Sequence, residues 1–200
     1  MEWGHDSDRG RRALRRMNEL HGRFAIANDD FLYVLSTFVY EPIRWNERFG
    51  WRPLCAQERL AYFHFWREVG WGMGIHDVPA DYAAFERFNR AYERRHFGLT
   101  GANERVGTAT RELFVSWFPR PLAPLVRAAI HALLDEPLIE AFGFPRPSPL
   151  ARRLVAAGLR CRASVLALLP PRRRPLLRTE RPCRTYPNGY VIEKLGPDVA

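Results

Sequence analysis

The sequence is poor in several features that would make its function easy to read. Lysine occurs once, at Lys194, so the 31 basic residues are almost all arginine. Cysteine occurs three times, at Cys55, Cys161 and Cys183, widely spaced and with no Cys-x-x-Cys pair. That pattern argues against a zinc ribbon and against a disulfide framework. No stretch reaches the roughly 20 uninterrupted apolar residues that a membrane span requires. The opening residues, Met1-Glu-Trp-Gly-His-Asp-Ser-Asp8, are polar and acidic, so no signal peptide is expected and a reduced cytoplasmic compartment is the default. A Gly-x-Ser-x-Gly elbow, a P-loop and a strand-borne Gly-x-Gly-x-x-Gly are all missing. Gly70-Trp-Gly-Met-Gly74 has the glycines of a phosphate loop, but it follows a helical pattern, which is the wrong context.

What is present is enough for a folded domain. The 200 residues are 46% hydrophobic and 13% aromatic, which excludes disorder for most of the chain and suits one domain, or one domain with a tail. Charge is unevenly placed. Residues 1–145 hold 19 arginines and 19 acids, whereas residues 146–200 hold 12 basic and 3 acidic side chains. The whole net charge of +9 therefore belongs to the last 55 residues.

Periodicity predicts helices over 9–24, 31–45, 56–70, 81–97, 102–118 and 125–134. Leu14, Met17, His21 and Phe24 share one face of the first. Asn28-Asp29-Asp30 offers caps for the second, which Pro42 should kink or end. Thr100 can cap the fifth. Residues 150–169 form a basic amphipathic helix, broken by Pro170-Pro-Arg-Arg-Arg-Pro175, and Tyr186-Pro-Asn-Gly-Tyr190 is a turn between short β-prone pieces. The expected fold is all-α, a compact multi-helix core over 1–149 followed by the basic helix and an irregular tail over 150–200.

Few residues offer chemistry. His21 lies on an apolar stripe with Arg15, Arg16 and Arg23 nearby. A neutral imidazole facing a dry pocket suits an axial haem ligand, and arginines at its edge suit propionates. By spacing alone, a buried histidine bonded to a carbonyl is the commoner use of such a residue. Glu93-x-x-His96 has the spacing of a di-iron bundle, but its only companion, Glu2 to His5, sits at the terminus, so a solvated face is expected. His64 with Glu68, and His131 with Asp135, are i,i+4 pairs that read as helix-surface hydrogen bonds. The basic tail attracts phosphate. Aromatics are absent from residues 146–185, which disfavours nucleic acid and leaves an interfacial helix at an anionic membrane, or a helix docked on the core.

Several segments together carry a family resemblance. They are Arg15-Arg-Met-Asn-Glu-Leu-His-Gly-Arg-Phe24, Phe31-Leu-Tyr-Val-Leu-Ser-Thr-Phe38, Glu41-Pro-Ile-Arg-Trp45, Phe65-Trp-Arg-Glu68, Phe85-Glu-Arg-Phe-Asn89, Thr185-Tyr-Pro-Asn-Gly-Tyr190 and Leu195-Gly-Pro197. In this order they resemble the oxygenase family that contains the endoplasmic-reticulum-bound oxygenase MpaB and the rubber oxygenase, or latex clearing protein, catalytic domain, on the MpaB side. The resemblance implies an all-α domain that binds haem b through one histidine, and the family's Arg-x-x-x-x-His segment falls on Arg16 to His21. It further implies O2-dependent cleavage of a carbon–carbon double bond in an apolar, isoprenoid-type substrate. Rubber oxygenases carry polar distal-pocket residues upstream of the ligand helix, and 20 residues precede His21 here, so those N-terminal helices are expected to be missing.

Overall fold

The computed structural model describes residues 2–170, 174, 176–181 and 185–196. Cys183 and much of the expected Pro170–Pro175 break lie outside the described residues. Among the described residues eight α-helices follow in chain order: α1 (Asp8–His21), α2 (Asn28–Phe49), α3 (Ala56–Gly72), α4 (Tyr82–His96), α5 (Gly101–Val115), α6 (Ala123–Leu133), α7 (Glu136–Phe142) and α8 (Pro149–Leu168). Among the described residues there is no strand, so the fold is all-α. The described residues flanking the Tyr186 turn are not in strands. The turn itself closes with Gly189 N–H donating to the Tyr186 carbonyl at 3.1 Å, and Gly189 takes φ of 83°.

Contacts divide the chain into two compact units, one of Met1–Ile43, Leu54–Glu86 and Pro170–Ala200, the other of Arg44–Pro53 and Arg87–Leu169. This partition differs from a division at 149/150: α8 groups with the second unit and the tail with the first.

The first unit is organised by the apolar stripe of α2. Leu32, Leu35, Val39, Tyr40 and Ile43 recur at helical spacing and are all buried. Around Tyr40 stand Phe63, Tyr82 and Phe85; the Tyr40 ring meets Tyr82 edge-on at 5.2 Å, and its hydroxyl donates to the Tyr82 carbonyl at 2.7 Å. Gly70 lets α3 close on α2, because a Cβ there would stand 2.5 Å from Leu35 Cδ2. Pro42 does not end α2, which runs on to Phe49. Losing one N–H costs a single ladder bond, and the buried stripe on both sides of it holds the helix together. Asn28 does not act as a side-chain cap either. Its amide pairs with the backbone of His76, donating to the carbonyl at 3.1 Å and accepting from the N–H at 2.9 Å.

The tail belongs to this unit through α1. Arg12 makes a bidentate pair with Glu193 at 2.5 and 2.9 Å, and Arg16 donates to the Leu195 carbonyl at 2.8 Å. Glu2 accepts from the N–H groups of Arg178 and Thr179, both at 3.0 Å.

In the second unit, α5 packs on α7 through Gly107, where a Cβ would stand 2.6 Å from Phe142 Cγ. Thr100 caps α5 as expected, accepting from Asn103 N–H. The short helix α7 was not expected. Asp135 caps it, Pro137 stands in its first turn, and Gly143 ends it in the left-handed region at φ 63°. Ser148 caps α8, and Arg152 pins that helix by donating to the Leu134 carbonyl and to Glu136 at 2.7 Å.

Candidate functional site

An apolar cavity of about 480 Å³ opens in the first unit, within the range of small-molecule sites. Three elements build it. From α1 come Ala13, Met17 and His21, one residue per turn on a single face; from α2 come Phe31, Val34, Leu35 and Phe38; and from α3 and the loop beyond it come Trp66, Val69, Met73 and Ile75. Asp30 is the one carboxylate among the described residues that line it. Leu35, Val69 and Ile75 are buried and form the floor, while Val34 and Phe38 remain about half exposed. Phe38 stacks on Trp66 at 4.5 Å, so the wall between α2 and α3 is aromatic. Apolar side chains left this open in a folded unit are unusual unless something covers them.

His21 supplies the cavity's one imidazole. Its ring meets Phe31 edge-on at 5.3 Å, and its Nδ1 is buried with no hydrogen-bond partner. The carbonyl that would make it an ordinary core histidine is therefore not at Nδ1. An unsatisfied buried ring nitrogen costs about 1–3 kcal/mol. The chemistry of this lining suits a flat, largely apolar group held by one nitrogen ligand, with Met17 and Met73 as adaptable packing.

The three arginines fall elsewhere. None lines the cavity. Arg16 is largely covered and engaged with Leu195 and with Glu19 at 3.2 Å. Arg15 lies across α1 from Met17 and is exposed. Arg23 is exposed just beyond α1 and has no ion-pair partner among the described residues. Phe24, expected on the His21 face, falls outside the helix and is 69% exposed. Sequence spacing did not anticipate Trp66, Met73 or Ile75 as lining residues. Met73 belongs to the glycine-rich stretch, whose part here is to end α3 and turn Met73 and Ile75 back toward α1.

The other histidines have different settings. His131 is buried and stacked on Phe144 at 4.8 Å, not on a helix surface, and its Nε2 lies 3.3 Å from Arg111 Nη1. Burial, and then the Arg111 charge, lower its pKa, which favours the neutral ring. Asp135 is not its partner, being committed to the α7 cap. Beside it, Glu112 takes two bonds from Arg127 and one from Arg111, which hold its carboxyl at about 2. This network satisfies itself and leaves no group aimed at a ligand. His96 stacks on Tyr92 at 4.3 Å.

Residues 1–168 match the family described as ER-bound oxygenase mpaB/B'/Rubber oxygenase, catalytic domain. Among curated relatives, the chain is 26% identical over 160 residues to ER-bound oxygenase mpaB' of Penicillium brevicompactum, covering 74% of this chain and 38% of that protein. It is 34% identical over 151 residues to ER-bound oxygenase mpaB of Penicillium roqueforti (strain FM164), covering 68% of this chain and 51% of that protein. The aligned region thus spans about two fifths to one half of these relatives.

Proposed function

The chain belongs to the ER-bound oxygenase mpaB/B'/rubber oxygenase catalytic-domain family, and from that premise we propose that it is a haem b-dependent oxygenase whose iron ligand is His21. The observation that supports the reading is the placement of the His21 imidazole in the wall of an apolar cavity. Haem supplies a redox-active iron that can engage O2, which no side chain of the cavity offers. The protein's part is to bind, orient and exclude water. Phe31 meets the imidazole edge-on and limits its rotation. Leu35, Val69 and Ile75 keep the floor dry, which strengthens every electrostatic interaction above it. Phe38, Trp66 and the two methionines present the apolar surface on which an alkene, by family analogy an isoprenoid chain, would lie. Of the three arginines, Arg16 serves the tail, and Arg23, which follows His21 by two residues, is the candidate for a propionate.

Reconstitution of the full chain with haemin tests this. The expected result is a stoichiometric complex with a Soret band that His21→Ala abolishes and Arg23→Gln weakens. A wild-type chain that takes up no haemin, or a Soret band unchanged in His21→Ala, would overturn the assignment.

A second reading, a non-catalytic site for an apolar ligand, is favoured by one fact: the charged group in the lining is a carboxylate, not a cation. It predicts that a fluorescent apolar probe binds wild type and His21→Ala equally while haemin binds neither.

A further inference from the structure

We propose that the outer face of α8 is a docking surface for an anionic lipid bilayer. The helix has two apolar sides. Ala151, Val155, Ala156, Leu159 and Ala163 are covered wholly or in part, toward α6. On the opposite side Leu150, Leu154, Cys161, Val165 and Leu168 follow one another at helical spacing and are all exposed, Leu168 at 86%. Gly158 sits within this outer stripe, and a Cβ built there meets nothing within 4 Å.

Charge identifies the occupant. Arg153 and Arg160 flank the stripe on one side and Arg162 on the other, all exposed. No aspartate or glutamate occurs within residues 149–168. Among the described residues these three guanidinium groups have no carboxylate within ion-pair distance, in contrast to Arg152 of the same helix, which is paired with Glu136. A second copy of this face would bring like charges together with nothing to neutralise them. A bilayer carrying anionic headgroups supplies both halves of the match, with acyl chains for the leucines and phosphates for the arginines. A helix lying in the membrane plane with its apolar side a few ångströms into the headgroup boundary meets both at once. No helix among the described residues is long and apolar enough to cross a membrane, and surface contact needs none.

Co-sedimentation of the full chain with vesicles tests the proposal. Binding is expected to vesicles of phosphatidylcholine mixed with phosphatidylserine, and to weaken with salt. Leu154→Asp with Val165→Asp should lower it about tenfold, and the triple change Arg153→Gln, Arg160→Gln, Arg162→Gln by about a hundredfold. His21→Ala should bind as wild type does, so this result stands or falls apart from the haem assignment. No binding to the mixed vesicles, or binding by either surface variant equal to that of wild type, would overturn the proposal. So would a concentration-dependent dimer that Leu154→Asp dissociates, which would give the face to a second copy.

Discussion

Helices α1 and α8 are both rich in arginine and both amphipathic, yet the chain uses them in opposite ways. Three of the five arginines of α1 have an acid to meet them. Asp8 pairs with Arg11, Glu19 with Arg16, and Glu193 from the tail with Arg12. Its apolar face is thereby turned to Leu14's buried contacts and to the cavity. The arginines of α8 outnumber the acids in reach, and its outer leucines stay in solvent. The difference lies in the counter-charges, two of which α1 carries in its own sequence while α8 carries none. A basic amphipathic pattern becomes part of a core where carboxylates are supplied and a surface where they are withheld.

The same substitution on the two helices gives the sharpest contrast. Leu14→Asp buries a carboxylate against Gly72 and should cost about 3–5 kcal/mol, read as a large fall in the urea midpoint. Leu154→Asp, at 64% exposure, should change stability by less than about 0.5 kcal/mol; equal effects would erase the distinction. Next in size is Asp135→Ala, which removes the α7 cap at a cost of about 1 kcal/mol and should leave His131 titrating as before. If the two residues formed a pair, the titration would move.

Acid should act on the second unit in two steps. His131 has a lowered folded pKa, so the unfolded chain takes up its proton first. Stability is full above the ordinary value of 6.5 and falls as pH drops below it. Comparing thermal unfolding at about pH 7.5 and about pH 5.5 in wild type and His131→Gln checks this, since the variant should lose the dependence. Glu112 has its folded value lowered from 4.5 to about 2, so its contribution is present above 4.5 and disappears between those limits. Glu112→Gln should flatten that part of the profile. The smallest effect is expected for Arg12→Gln, which breaks a solvent-exposed pair and should shift the melting temperature barely at all.

Much of the helical order was legible because it is local. The periods of α2, α5 and α8 and the Thr100 cap involve residues within a few positions of one another. Helix α7 was legible in principle, as Asp135-Glu-Pro137 is a cap followed by a proline in the first turn, but assigning Asp135 to His131 hid it. Pro42 does not end α2 because the buried stripe extends past it and offsets the roughly 3 kcal/mol that an interior proline costs. The cavity was only half legible. Met17 and His21 show on one helix, while Trp66, Met73 and Ile75 arrive from about 50 residues later, a distance that periodicity cannot bridge. The docking of the tail was hidden for the same reason, since Glu2 and Thr179 are 177 residues apart.

The Asn28–His76 pairing has a kinetic consequence. A side-chain amide making both backbone hydrogen bonds of one residue works as a latch, and here it fastens the loop that carries Met73 and Ile75 to the start of α2. The same wall is tied to α1 by Asn18, which donates to the Gly72 carbonyl at 3.0 Å, and to the end of α3 by the Ile75 N–H on the Gly70 carbonyl at 3.0 Å. Exchange of the His76 amide proton with solvent reports release of the Asn28 tie.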